Sequence, residues 1–109
     1  MGEIANDGGS VARIEERSDG PDGPILKIIG DLDLSSVQSV RGTVEDVVSR
    51  RPERLAFDLS ELRFLDSSGI TLLLTIAEQV QRVELRDPSA MVRRVIELTG
   101  LVGVFHITP

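Results

Sequence analysis

The sequence predicts an α/β fold: a mostly parallel five-stranded sheet with an antiparallel N-terminal edge strand and three helices. Three observations carry this. Short β-branched runs alternate with segments of helical apolar spacing, in the order strand, strand, helix, strand, helix, strand, helix, strand. The turn formers Ser18-Asp19-Gly20-Pro21-Asp22-Gly23-Pro24 separate the first two strands and make them a hairpin. The 109 residues show no internal repeat and suffice for one domain with a buried core.

Residues 1–10 are small, polar and glycine-bearing, and are expected to form a disordered tail ahead of a domain over 11–109. Val11 to Glu16 reads as an edge strand. Ile25 to Ile29 is nearly all apolar and closes at Gly30-Asp31-Leu32-Asp33, a strand running into a loop. Leu34, Val37, Val40, Val44, Val47 and Val48 then share one helical face. Ser35 and Gln38 are spaced as a capping box, Pro52 follows the end, and Gly42 inside the helix costs about 1 kcal/mol relative to Ala. Leu55 to Leu59 is short and apolar, an interior strand.

The second helix opens near Ser68 and offers Ile70, Leu72, Leu73, Leu74, Ile76 and Ala77 to the core. Arg82 to Arg86 alternates as a strand. Asp87 is the expected N-cap of the third helix, with Pro88 at its first position. Val92, Val95, Ile96 and Leu98 form that helix's core face, and Gly100 is its left-handed C-cap, closed by Leu101 or Val102. Val104-Phe105-His106-Ile107 makes the last strand.

Composition removes several classes of function. The formal net charge of -6 opposes binding to a phosphate backbone, which depends on basic patches, and suits a basic protein face instead. Only three aromatics occur, all Phe, so base-stacking platforms are missing. No cysteine is present, which excludes disulfides, thiolate catalysis and Cys-based zinc sites and fits a reducing compartment. No apolar run approaches the roughly 20 residues of a membrane helix, and the N-terminus lacks the regions of a signal peptide. A cytoplasmic protein without membrane or nucleic-acid partners is expected.

Candidate chemistry concentrates at the loops after the strands. Ser67, Asp66 and His106 nominally supply a triad, but no Gly-x-Ser-x-Gly elbow is present, Asp66 adjoins the serine, and the single His lies in a terminal strand. Gly20-Pro21-Asp22-Gly23-Pro24 lacks the Lys and Ser/Thr of a nucleotide P-loop. Asp31, Asp33, Asp58 and Asp66 follow strands that end at one side of a parallel sheet, where they would either share a cation or serve separately as caps and turn residues. Ser67 and Ser68 stand where a strand and loop pass into an apolar helix, where free N–H groups favour an oxygen or a later-attached phosphate. Capping and a regulatory phosphosite both fit that position.

Three segments together resemble the STAS domain of the anti-sigma factor antagonist family. They are Gly30-Asp31-Leu32-Asp33, the contiguous stretch Leu59-Ser60-Glu61-Leu62-Arg63-Phe64-Leu65-Asp66-Ser67-Ser68-Gly69, and Pro88-Ser89 with Val92 through Leu101, in the family's order. The resemblance implies a STAS-like fold and a non-enzymatic role. In that family the unphosphorylated antagonist binds an anti-sigma factor that is also a serine protein kinase, which frees the sigma factor. Phosphorylation ends the partnership, and a PP2C-type phosphatase restores it. Carried over by position, Ser67 is the phosphoacceptor, and Asp31, Asp33, Asp66, Ser68 and Gly69 form the partner-binding rim. ATP and Mg²⁺ belong to the kinase, so no cofactor is implied for this chain, which is expected to be a monomer or weak dimer.

Two features depart from the family pattern. The stretch from Gly69 to Pro88 is about one helical turn short and lacks a Gly-Gly before the fourth strand, and no C-terminal helix follows the last strand, so some apolar sheet surface is expected to lie bare. Two other roles suit the same residues. One is an accessory subunit of a lipid-transport ABC system, docking through the same helix mouth without a phospho-switch. The other is a weak nucleotide sensor using helix N-termini.

Overall fold

The computed structural model describes residues 11–20 and 23–109; the expected tail and the hairpin tip Pro21-Asp22 lie outside the described residues. The elements are β1 (Ala12–Gly20), β2 (Gly23–Leu32), α1 (Val37–Ser49), β3 (Arg54–Asp58), β4 (Leu62–Leu65), α2 (Ser67–Ala77), β5 (Arg82–Arg86), α3 (Ala90–Thr99), a 3₁₀ turn (Val102–Val104) and β6 (His106–Thr108). The sheet runs β1-β2-β3-β5-β6, with β4 also beside β2. β1 and β2 are antiparallel, and the other pairs are parallel, as right-handed crossovers require.

The sheet therefore has six strands rather than five. Leu62 to Leu65 has only four residues, with its buried positions at the two ends and no period-two alternation, so sequence patterning merges it with the following loop. Its place comes from pairing: where β3 ends at Asp58, β4 takes over beside β2, setting Gly30 against Leu62, Asp31 against Phe64 and Leu32 against Leu65.

One core lies on one side of the sheet. Leu26, Ile28, Leu55, Phe57, Val83 and Leu85 meet Val40, Val44 and Val47 of α1, Leu72, Leu73 and Ile76 of α2, and Val92 and Ile96 of α3. Each such buried side chain contributes about 1.5–3 kcal/mol over leaving it in water. The alternate strand positions, Lys27, Asp58, Arg82, Glu84 and Arg86 among them, are half-buried on the opposite face. Uncovered among the described residues, that face is chiefly a cross-strand charge ladder with Ile25 and Ile29 between the charges, rather than bare apolar surface.

Several boundaries differ from the sequence expectation. Leu34 lies in the turn before α1 and is 76% exposed, not a core residue. The cap of α1 is Ser36, with no side-chain cap bond, so the Ser35/Gln38 box does not form. Ser89, not Asp87, caps α3, and Pro88 precedes that cap rather than opening the helix. Leu98 is 73% exposed, because the helix buries only the narrow stripe of Val92 and Ile96. Gly100 takes the expected left-handed conformation at φ 77°, and Leu101 packs on the core behind it. Val102–Val104 curl into the 3₁₀ turn, so the last strand starts at His106.

Candidate functional site

Parallel pairing of β2 with β4 brings their C-terminal ends together, and with them the loops that lead into α1 and α2. The Asp66 N–H donates to the Leu32 carbonyl at 3.2 Å, continuing the ladder to the last residue before α2. Asp66 is then the N-cap: its Oδ1 accepts from the N–H of Ser68 at 2.8 Å and of Gly69 at 3.3 Å. Its other oxygen accepts from the Leu34 N–H at 3.4 Å, so one carboxylate ties both loops. A cap of this kind contributes about 0.5–2 kcal/mol.

The neighbouring loop is organised by Asp33 and Ser36. Asp33 Oδ1 accepts from the N–H of Ser35 at 3.0 Å and of Ser36 at 3.2 Å, and from the Ser35 hydroxyl at 2.8 Å, an Asx-type turn. Ser36 is buried; its Oγ donates to the Asp31 carbonyl at 2.6 Å and accepts from the Asp33 N–H at 3.0 Å. The turn thus holds Leu34 outward beside Asp66. Asp31 faces Arg63 at 3.5 Å across β2 and β4.

Two glycines hold these parts at close approach. A Cβ on Gly69 would lie 2.4 Å from Leu65 Cδ1 and 2.9 Å from the Leu32 carbonyl oxygen, so no larger residue lets α2 start this close to β2. Gly30, at φ 103°, would place a Cβ 2.3 Å from the Val11 carbonyl oxygen.

Ser67 is the first residue of α2 and is exposed. Its carbonyl accepts from the Thr71 hydroxyl at 2.8 Å, while the N–H groups of the next two residues are already served by Asp66. Its hydroxyl therefore has no orphan donor to satisfy and stands at the positive end of the helix. Leu34, whose N–H bonds to Asp66, is exposed beside this entrance, and Phe64, two residues before Asp66 on β4, is 40% exposed. Sequence periodicity placed Leu34 in the core and gave Phe64 no role; the signal for Leu34 was the Asp-x-Ser-Ser turn pattern around it.

Other sequence candidates fall elsewhere. His106 is exposed on β6, four places from β1 in the strand order and opposite Glu84, so no triad with Ser67 and Asp66 assembles. The four aspartates build no cation site: among the described residues no group of three or more His, Asp or Glu is placed to hold a metal ion. Asp58 instead accepts from the N–H and hydroxyl of Ser60. Burial pushes its carboxyl up, but those two bonds, with Lys27 and Arg17 nearby, bring it below its ordinary value. The Glu84 carboxyl is also lowered, chiefly by its bond from Arg86. Both shifted carboxylates lie on the uncovered face, away from the α2 entrance.

Comparison with known proteins agrees with this geometry. The STAS domain pattern matches residues 13–109. The chain belongs to the STAS domain family of anti-sigma factor antagonists. It is 31% identical over 86 residues to the anti-sigma-F factor antagonist RsfB of Mycobacterium tuberculosis, covering 76% of this chain and 70% of that protein. The crystal structure of an anti-sigma factor antagonist from Mycobacterium paratuberculosis superposes with a TM-score of 0.82 at 25% identity, covering 90% of this chain and 86% of the other. The fold is also that of the antagonist SpoIIAA in its unphosphorylated form, at TM-score 0.74 and 22% identity, with 89% of each chain covered. No described helix of this STAS domain is long and apolar enough to cross a membrane.

Proposed function

We propose that this STAS domain is a cytoplasmic anti-sigma factor antagonist whose binding is switched at Ser67. The unphosphorylated form binds an anti-sigma factor that is also a serine protein kinase, and the sigma factor is released. The kinase, using its own ATP and Mg²⁺, transfers phosphate to the Ser67 hydroxyl, and a PP2C-type phosphatase removes it. The chain itself turns nothing over. One observation carries this reading: Ser67 is exposed at the mouth of α2 while Asp66 does the capping, so its hydroxyl is open to an enzyme and its modification leaves the cap intact.

The consequence of phosphorylation is electrostatic. A phosphoserine adds about two negative charges and three acceptor oxygens at neutral pH. Helix N–H groups accommodate them, while a partner docked over Asp31, Asp33, Asp66 and Ser68, above the buried Gly69 and with Leu34 and Phe64 as apolar anchors, would meet an uncompensated dianion. A change of about 1.4 kcal/mol already shifts affinity tenfold.

The test uses the kinase and ATP with intact-mass detection. One phosphate is expected on the wild type and none on Ser67→Ala, which keeps its affinity for the kinase, while Ser67→Asp binds at least about tenfold more weakly. Phosphate on another residue, or equal binding by Ser67→Asp, overturns the proposal. Co-purification with an ABC permease and its ATPase, without a mass shift on Ser67, would point to the transport-accessory role instead.

A further inference from the structure

We propose that β1 is a self-recognition edge, through which a second copy of this chain adds its own β1 antiparallel and extends the sheet across a two-fold axis at Ile14. Among the described residues β1 is the terminal strand of the sheet, paired on one side with β2. The Asp31 N–H donates to the Val11 carbonyl at 3.0 Å, which sets the alternation: odd residues of this segment bond to β2, and the backbone groups of Ala12, Ile14 and Glu16 point outward. The long contact from the Ser39 hydroxyl to the Ala12 carbonyl, 3.4 Å, agrees with that direction.

Charge order then selects a register. Residues directly opposite in a two-fold antiparallel pair must lie on the same face, so the axis passes through a residue. An axis at Arg13, Glu15 or Glu16 sets a charge against its own copy, and one at Ala12 sets Val11 against Arg13 and forms no charge pair. An axis at Ile14 sets Ile14 against Ile14, Ala12 against Glu16, and Arg13 against Glu15 twice. The outward-pointing residues become the hydrogen-bonded pairs, and Arg13/Glu15 become the non-bonded pairs, whose side chains come closest. In one copy Arg13 and Glu15 already touch at 3.4 Å, with 69% and 51% of their side chains exposed, so both are available to a neighbour.

Edge charges ordinarily deter strand addition. Here the same charges deter a foreign strand and match their own copy. α1 runs beside β1, its Ser39 hydroxyl near the Ala12 carbonyl and its Arg50 bonded to Glu16, and Gly42 of the same helix is exposed with no atom within 4 Å of where its Cβ would lie.

The test is sedimentation equilibrium of the full chain over a concentration series, with circular dichroism to confirm folding. The wild type should show a concentration-dependent dimer. Arg13→Glu and Glu15→Arg should each weaken it by at least about tenfold, since each puts like charges opposite at two symmetric places. Mixing these two variants should restore a heterodimer, and the double variant Arg13→Glu/Glu15→Arg should restore the homodimer. A wild type that stays monomeric, single variants that dimerise as well as wild type, or failure of both rescues would overturn the proposal.

Discussion

The entrances of α2 and α3 are spelled almost alike, Asp66-Ser67-Ser68 and Asp87-Pro88-Ser89, yet they divide the work differently. At α3 the serine is the cap: Ser89 Oγ accepts from the Val92 N–H at 3.1 Å. Asp87 is withdrawn, at φ 54°, because its N–H is committed to the Thr108 carbonyl at 3.0 Å. At α2 the aspartate is the cap, and the hydroxyl of the serine after it takes no part in the capping. A hydroxyl beside a capping carboxylate is free for chemistry, whereas one that does the capping is not. Only the first arrangement suits a modification that must leave the fold standing.

Substitutions at these entrances break or sharpen the contrast. Gly69→Ala should do most harm, about 2–3 kcal/mol in urea unfolding, because its Cβ would press on the Leu32 backbone as well as on Leu65. Asp66→Ala should follow, at about 1–2 kcal/mol, through loss of the α2 cap and of the tie to Leu34. Ser89→Ala should cost about 1 kcal/mol, since its hydroxyl serves an N–H that nothing else satisfies. Ser67→Ala should change stability by less than about 0.5 kcal/mol. Equal losses for Ser67→Ala and Ser89→Ala in the same denaturation series would erase the distinction between the two entrances.

How far these differences were legible depends on whether the signal was local. The strands Ile25 to Ile29, Leu55 to Leu59 and Arg82 to Arg86 were visible as apolar runs or alternation, and Gly100 as a C-cap, because each follows from a few neighbouring residues. The short strand β4 was not, since four residues without alternation acquire strand geometry only from β2 beside them. Leu34 shows the same limit. Its spacing fitted the α1 face, but the Asp33–Ser36 turn delays the helix and turns Leu34 out to solvent. Asp87 was the better cap by residue type and lost the position to a partner on β6, twenty-one residues away in sequence.

The amino-acid order alone determined the α/β class, the antiparallel opening, the positions of three helices and the place of Asp66-Ser67-Ser68-Gly69 at a helix entrance, because periodicity and turn chemistry act over a few residues. Which oxygen caps which helix, which apolar residues face outward, and that the four aspartates build no cation site were decided by tertiary structure. Those outcomes depend on hydrogen-bond partners supplied by distant strands, and a donor claimed by one carbonyl is unavailable to another.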